Sequence, residues 1–200
     1  RRDRRWCQGN MQHLRILEES GLRRDEDYTI QATDMGLKGA DGNHLKPDVI
    51  VHLPDSKHLI VDSKVSITAY ERFCADTDDG RKQTHVNDFL RSIKAHIVGL
   101  ESKRYQDIEK LGTPDFVLLF MPTEGAFSFA MQHDPELHSY AWGRKIVLVS
   151  PTTLFATLRT IASLWNIERQ NRNAQEIARQ GGALYDKFVG FLENMDAVGK

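Results

Sequence analysis

Cysteine is nearly absent from the sequence: Cys7 and Cys74 are the only two in 200 residues. Neither sits in a CxxC or a Cys/His zinc spacing, so a disulfide framework and a thiolate zinc knuckle are both disfavoured. A reducing, cytoplasmic setting is the expectation. Long apolar runs are missing too, since none approaches the roughly 20 residues that a bilayer-spanning helix needs. Charge of one sign is also lacking: 27 Lys and Arg stand against 28 Asp and Glu, for a formal net charge of −1. Bulk electrostatics therefore lend no support to a nucleic-acid partner, although a basic cleft on a neutral protein is compatible with one. The chain opens Arg1-Arg2-Asp3-Arg4-Arg5, with no initiator Met and no apolar signal core. It is read as a piece of a longer protein, whose membrane anchoring on the cytoplasmic side is left open.

What is present fits one globular domain over 1–200, with an α/β core at 11–150 and a helical extension at 151–200. Leu14, Ile16 and Leu17 predict a first helix over 11–19, stopped by Ser20-Gly21. Tyr28 to Ala32 reads as a short strand and 36–43 as loop. Val49-Ile50-Val51 and Leu59-Ile60-Val61 are β-rich runs separated by Pro54-Asp55-Ser56-Lys57, which predicts an antiparallel hairpin over 48–64. Phe89, Ile93, Ile97 and Leu100 recur at three- and four-residue steps, the stripe of an amphipathic helix. Asp76 to Gly80 breaks the helical region into two. Phe116 to Met121 and Ile146 to Val149 are continuous apolar runs, as expected of strands buried on both faces. A helix is expected from Glu124 to Gln132, and another from Thr152 to Met195 that ends or bends at Gly181-Gly182. Together these elements predict a mixed sheet packed by helices, an α/β fold.

Pairing about the turn at 54–57 brings Asp48 opposite Asp62, with Lys64 two residues further along the same face. Two carboxylates and a lysine converging is what metal-assisted phosphodiester hydrolysis requires. Oxygen ligands hold Mg²⁺ or Mn²⁺, the metal acidifies a bound water, and the lysine orients that water or stabilises the phosphoryl charge. The plainer alternative is a structural Asp–Lys pair, because Asp62 follows a buried run where a lone charge is expensive.

The segment KPDVIVHLPDSKHLIVDSKVSITAYERF resembles the central block of the RmuC family, a bacterial group associated with DNA recombination. The likeness continues in Tyr28 to Gln31, His85, Ala95-His96-Ile97, Leu100, Lys103 and Tyr105. It runs on through PDFVLLFMPTEGAF, IVLVSPTTLFATLRTIASLW and NAQEIARQGGALYDKFVGF, covering Ile16 to Gly199. The resemblance implies a restriction-endonuclease-like PD-(D/E)XK core, with Asp48 and Asp62 as metal ligands and Lys64 as the catalytic lysine. It also implies DNA as substrate and a function limiting DNA rearrangement. One departure bears on activity. Family members carry Trp-Gly-Glu in the first helix, where this chain reads Gln8-Gly9-Asn10-Met11-Gln12, and Glu18 or Glu19 is the candidate replacement.

Other residues have competing readings. Gln31 is an accessory to the metal's water or a strand-end glutamine. Glu124 is an accessory carboxylate or a favourable charge at a helix N-terminus. His85 and His96, on one helix face, suit phosphate contact or structural hydrogen bonds rather than a shared metal. Lys94, Lys103 and Arg104 are candidate DNA contacts, each with a solvated helix face as the bland alternative. Trp142 and Trp165 are read as packing residues rather than base-stacking platforms. Three functions compete: a Mg²⁺-dependent nuclease, a DNA-binding or scaffolding protein of nuclease ancestry, and an interaction module. The last would form a homo-oligomer through helical or coiled-coil segments.

Overall fold

The computed structural model describes residues 13–30, 47–54, 57–63, 65–105 and 116–198, with side chains described as far as 190. Gln31, Lys64 and the Gln8–Gln12 stretch lie outside the described residues. The elements are α1 (13–19), β1 (Tyr28–Ile30), β2 (Val49–Leu53), β3 (Lys57–Asp62), α2 (Thr68–Ala75), α3 (Asp79–Ser102), β4 (Val117–Phe120), α4 (Glu124–His133), α5 (Leu137–Trp142), β5 (Ile146–Val149) and α6 (Pro151–Val198). Two compact units divide at Ala162 and Ser163.

In the first unit the strands form one sheet in the order β1-β2-β3-β4-β5. The first three are antiparallel neighbours, whereas β3–β4 and β4–β5 are parallel. The hairpin expected over 48–64 forms as β2 and β3, in the register Val49↔Val61, Ile50↔Ile60 and Val51↔Leu59. A three-residue link joins the two antiparallel strands. The parallel pairs instead need crossovers, which α2–α3 and α4–α5 supply. All four residues of β4 are buried, which explains why 117–120 is apolar without alternation.

The apolar stripe of α3 faces inward as its spacing predicts, burying Val86, Phe89, Ile93, Ile97 and Leu100. It joins Ile50 and Ile60 of the hairpin and Leu119 and Leu148 of the parallel strands in one core. The Asp78 carboxylate starts α3 by accepting hydrogen bonds from the N–H groups of Gly80 and Arg81. The chain leaves α1 through Gly21, whose φ of +87° suits the left-handed turn after a helix. Beside it, Arg159 of α6 donates to the Ser20 carbonyl at 3.3 Å.

Gly125, in the first turn of α4, lies under the ring of Tyr70. A Cβ placed on it would meet the Tyr70 Oη at 2.5 Å and Cζ at 3.5 Å. Tyr70 cannot retreat easily, because its ring packs at 5.9 Å from Phe89 and 5.3 Å from Phe129. Gly125→Ala is therefore expected to destabilise the fold by about 1–3 kcal/mol through overpacking. Combined with Tyr70→Phe, which deletes the clashing oxygen, the same change should become neutral or stabilising by about 0.5 kcal/mol, as alanine in a helix normally is. Urea unfolding of the two single variants and the double checks this.

Two sequence expectations fail. Trp142 was expected to pack inside but is 61% exposed, 6.2 Å from the Phe116 ring. It falls at the C-terminal end of α5, whose inward side is taken by Leu137 and Ala141. The helix begun at Pro151 also runs on through Gly181-Gly182 to Val198. Each glycine costs about 1 kcal/mol relative to alanine, a penalty offset by helix-forming neighbours such as Ala178, Ala183 and Leu184 and by the Glu176–Arg179 pair. In the second unit, Ile167, Ile177, Leu184, Tyr185 and Phe188 are exposed. Among the described residues, no helix is long and apolar enough to cross a membrane.

Candidate functional site

The carboxyl ends of the three parallel strands and the start of β2 share one edge of the sheet. Ligands in open α/β sheets are bound along such an edge. The register Val49↔Val61, extended by one residue, sets Asp48 opposite Asp62, and directly opposed residues project to the same face. Ser63 fastens the two strand ends together. Its N–H and Oγ donate to Asp48 Oδ2 at 2.9 and 3.0 Å.

Both carboxylates are buried, Asp62 to 0% exposure and Asp48 to 8%. An ionised group there needs partners of opposite charge or strong donors. For Asp62, α3 supplies them. Oδ1 lies 3.3 Å from His96 Nε2 and Oδ2 accepts from Lys103 Nζ at 3.2 Å. A carboxylate can only accept, so His96 carries its proton on Nε2. The two residues are seven apart, about two turns, and flank the buried Ile97–Leu100 part of the α3 stripe.

Behind them, Lys103 caps the C-terminus of α3, and Arg104 takes a φ of +45° that turns the chain back so that Tyr105 enters the core. The Lys103 ammonium lies 5.6 Å from the centre of the Tyr105 ring. Burial pushes the Tyr105 phenol well above its ordinary range, and the negative charges of Asp62 and Asp48 push it further. One phenol thus feels both carboxylates.

The sign of the resulting pH effect follows from that shift. The folded chain holds the Tyr105 proton above the unfolded value of 10.0. Its contribution to stability is therefore complete below pH 10 and lost as pH rises through the folded value. Tyr28 and Tyr70 are shifted in the same direction. Urea midpoints should fall above pH 10, and less steeply in Tyr105→Phe. An unchanged slope in that variant would contradict the assignment.

The other candidates are placed elsewhere. Glu18 is exposed on α1, and its charge acts on Tyr28, whose strand partner Val51 is three residues along the chain from Asp48. Glu19 pairs with Arg15. Lys94 pairs with Asp134 at 2.6 Å and sits 5.4 Å from the Tyr140 ring. His85 bonds Asp76 rather than sharing a partner with His96. Glu124 Oε1 accepts from the Thr152 N–H at 2.7 Å, tying the start of α4 to the first turn of α6. Burial raises the Glu124 pKa, but hydrogen bonds from Thr152 and Ser150 outweigh it and the net shift is downward. Among the described residues, no group of three or more His, Cys, Asp or Glu side chains gathers as a metal cage.

A profile of the RmuC family matches residues 5–200. The chain belongs to the RmuC family. It is 49% identical over 195 residues to the DNA recombination protein RmuC homolog of Pseudomonas aeruginosa, covering 96% of this chain and 42% of that protein. It is 46% identical over 187 residues to the Neisseria meningitidis homolog, covering 92% of this chain and 31% of that one. With the DNA recombination protein RmuC of Escherichia coli K12 it shares 41% identity over 192 residues, covering 96% of this chain and 40% of the relative. The chain thus spans less than half the length of these relatives. No solved structure was found to match it.

The hairpin pattern in the sequence sets Asp48 opposite Asp62, as the register has them. The sequence assigns Ser63, His96 and Tyr105 no place at the site and makes Lys103 a candidate DNA contact. The usable signal for His96 and Lys103 was their seven-residue spacing along the margin of the α3 stripe. The spacing between His85 and His96 carried none.

Proposed function

We propose that this RmuC-family domain works on DNA in recombination or genome maintenance, and that it hydrolyses phosphodiesters at a PD-(D/E)XK-type site built on Asp48, Asp62 and Lys64. The observation that carries the reading is the cross-strand register that sets two buried carboxylates opposite each other on one sheet edge. A mixed sheet with an antiparallel hairpin leading into parallel strands supports it, as do relatives named DNA recombination proteins.

The donor set suits a hard divalent cation. Mg²⁺ is commonly held by one or two carboxylates, keeping waters and taking up substrate phosphate. Asp48 and Asp62 would hold Mg²⁺ or Mn²⁺, which would supply Lewis-acid stabilisation and an acidified water. The protein's own groups do the rest. Ser63 fixes Asp48, His96 orients Asp62 from behind as outer partners of ligands do, and Lys64 is assigned to orient the attacking water. Chromosomal DNA as substrate implies a cytoplasmic location.

The test is cleavage of linear double-stranded and single-stranded DNA with Mg²⁺ or Mn²⁺. The expected outcome is cation-dependent cutting by the chain and none by Asp48→Asn. A second reading, a DNA-binding or scaffolding protein of nuclease ancestry, is favoured by His96 and Lys103 already engaging both oxygens of Asp62. Binding of DNA without cutting by the parent chain would establish that reading instead. Self-association through α6 belongs to the same proposal. Ile177 and Leu184 repeat at seven residues on its exposed surface, and sedimentation velocity reads it directly.

A further inference from the structure

Lys103 is placed unusually for a residue read from sequence as a DNA contact. Its ammonium is on Asp62 Oδ2 at 3.2 Å, while its own side chain remains 31% exposed against 0% for the carboxylate. The pair is asymmetric. The acid is fixed at the end of β3, and the base is the tip of a long flexible stem at the end of α3 that reaches in from solvent. A stem of that kind can withdraw its charge into water at small cost, whereas Asp62 cannot move its own.

We propose that Lys103 is the resident counter-ion of Asp62. Its ammonium neutralises the buried carboxylate when no divalent cation is bound, and it gives up Oδ2 when one arrives. This rests on the metal-dependent reading above and adds a competition to it. Two positive charges a few ångströms apart at a buried carboxylate repel strongly, so ammonium and divalent cation exclude each other on Oδ2. His96 stays on Oδ1 as the orienting partner. The displaced ammonium swings outward from the same edge, where a phosphate group of the substrate offers it a new partner. Lys103 is thus a positioning residue for Asp62 before the cation binds.

The consequence is a trade-off that a purely structural lysine would not show. Lys103→Gln keeps a donor for Oδ2 and removes the competing charge, while Lys103→Arg keeps the charge. Mn²⁺ binding followed by electron paramagnetic resonance should be about tenfold tighter in Lys103→Gln than in the parent chain, a coupling of ordinary size between neighbouring sites. Lys103→Arg should bind no tighter than the parent. Without cation, Lys103→Gln should melt lower than the parent, and saturating Mn²⁺ should raise its melting temperature by more. Equal Mn²⁺ affinity in parent and Lys103→Gln, with binding measurable in both, would overturn the counter-ion assignment and leave the metal reading standing. Absence of Mn²⁺ binding in parent, Gln and Arg variants alike would overturn both.

Discussion

Asp62→Asn is expected to lower cation-dependent DNA cleavage by about a thousandfold or more, the effect of removing about 4 kcal/mol of transition-state stabilisation. The loss should arise with the fold intact. Asparagine has the shape of aspartate, so His96 Nε2 and Lys103 Nζ keep a neighbour of the same size, and one carbonyl oxygen remains to accept. The change even removes a fully buried charge, whose desolvation is expensive. The partners left behind are better placed to tolerate it, since the side chains of His96 and Lys103 are 25% and 31% exposed and can hydrate. Stability is therefore expected to change by no more than about 1–2 kcal/mol. Cleavage rates under single-turnover conditions, set beside thermal melts of the same preparations, separate the two effects. A variant that melts like the parent and cuts like the parent would remove Asp62 from the chemistry.

The largest effect on stability is expected from Phe89→Ala, at about 3–5 kcal/mol. Phe89 is 0% exposed and stands where three elements meet. Its ring lies 5.9 Å from Tyr70 of α2 and 6.0 Å from Phe129 of α4. Phe129 in turn packs at 4.5 Å from Phe73 and 4.2 Å from His133. Removing one ring leaves a void that rigid aromatic neighbours cannot close, and the penalty grows with the void that persists. For a domain of this size the melting temperature should drop by roughly 6–20 °C. Differential scanning calorimetry measures it, and a drop under about 3 °C would mean that α2 collapses into the space.

The parts legible in sequence are those governed by local pattern. Pro54 to Lys57 between two β-branched runs specifies the hairpin, and the turn sets its register, so the facing of Asp48 and Asp62 is legible in the sequence. The α3 stripe was equally readable, because a 3.6-residue period specifies which side of a helix is buried. It does not specify where along the sheet that helix ends. Lys103 looked like any surface cation for that reason, and only the docking of α3 puts it on Asp62. α5 is not legible in the sequence because its six residues are too few to display a period. Gly181-Gly182 misled because glycine shifts the odds against a helix by an amount its neighbours can make up.

Among the described strands, β3 is the one with an antiparallel neighbour on one side and a parallel neighbour on the other. Its partner β2 is three residues away in sequence, whereas β4 begins only after α2 and α3 have been traversed. Short loops close quickly and long ones slowly, since the entropy of closure must be met before the distant contact forms. The two halves of the candidate site are consequently expected to form at different moments of folding. The facing of Asp48 and Asp62 arrives with the hairpin. The burial of Asp62 and its bonds to His96 and Lys103 arrive only when the crossover has closed and β4 has zipped alongside. Protection of the amide at Asp62 against hydrogen exchange should therefore report the docking of β4 on β3, and a nascent chain that has emerged only through β3 is expected to carry its acidic pair in water.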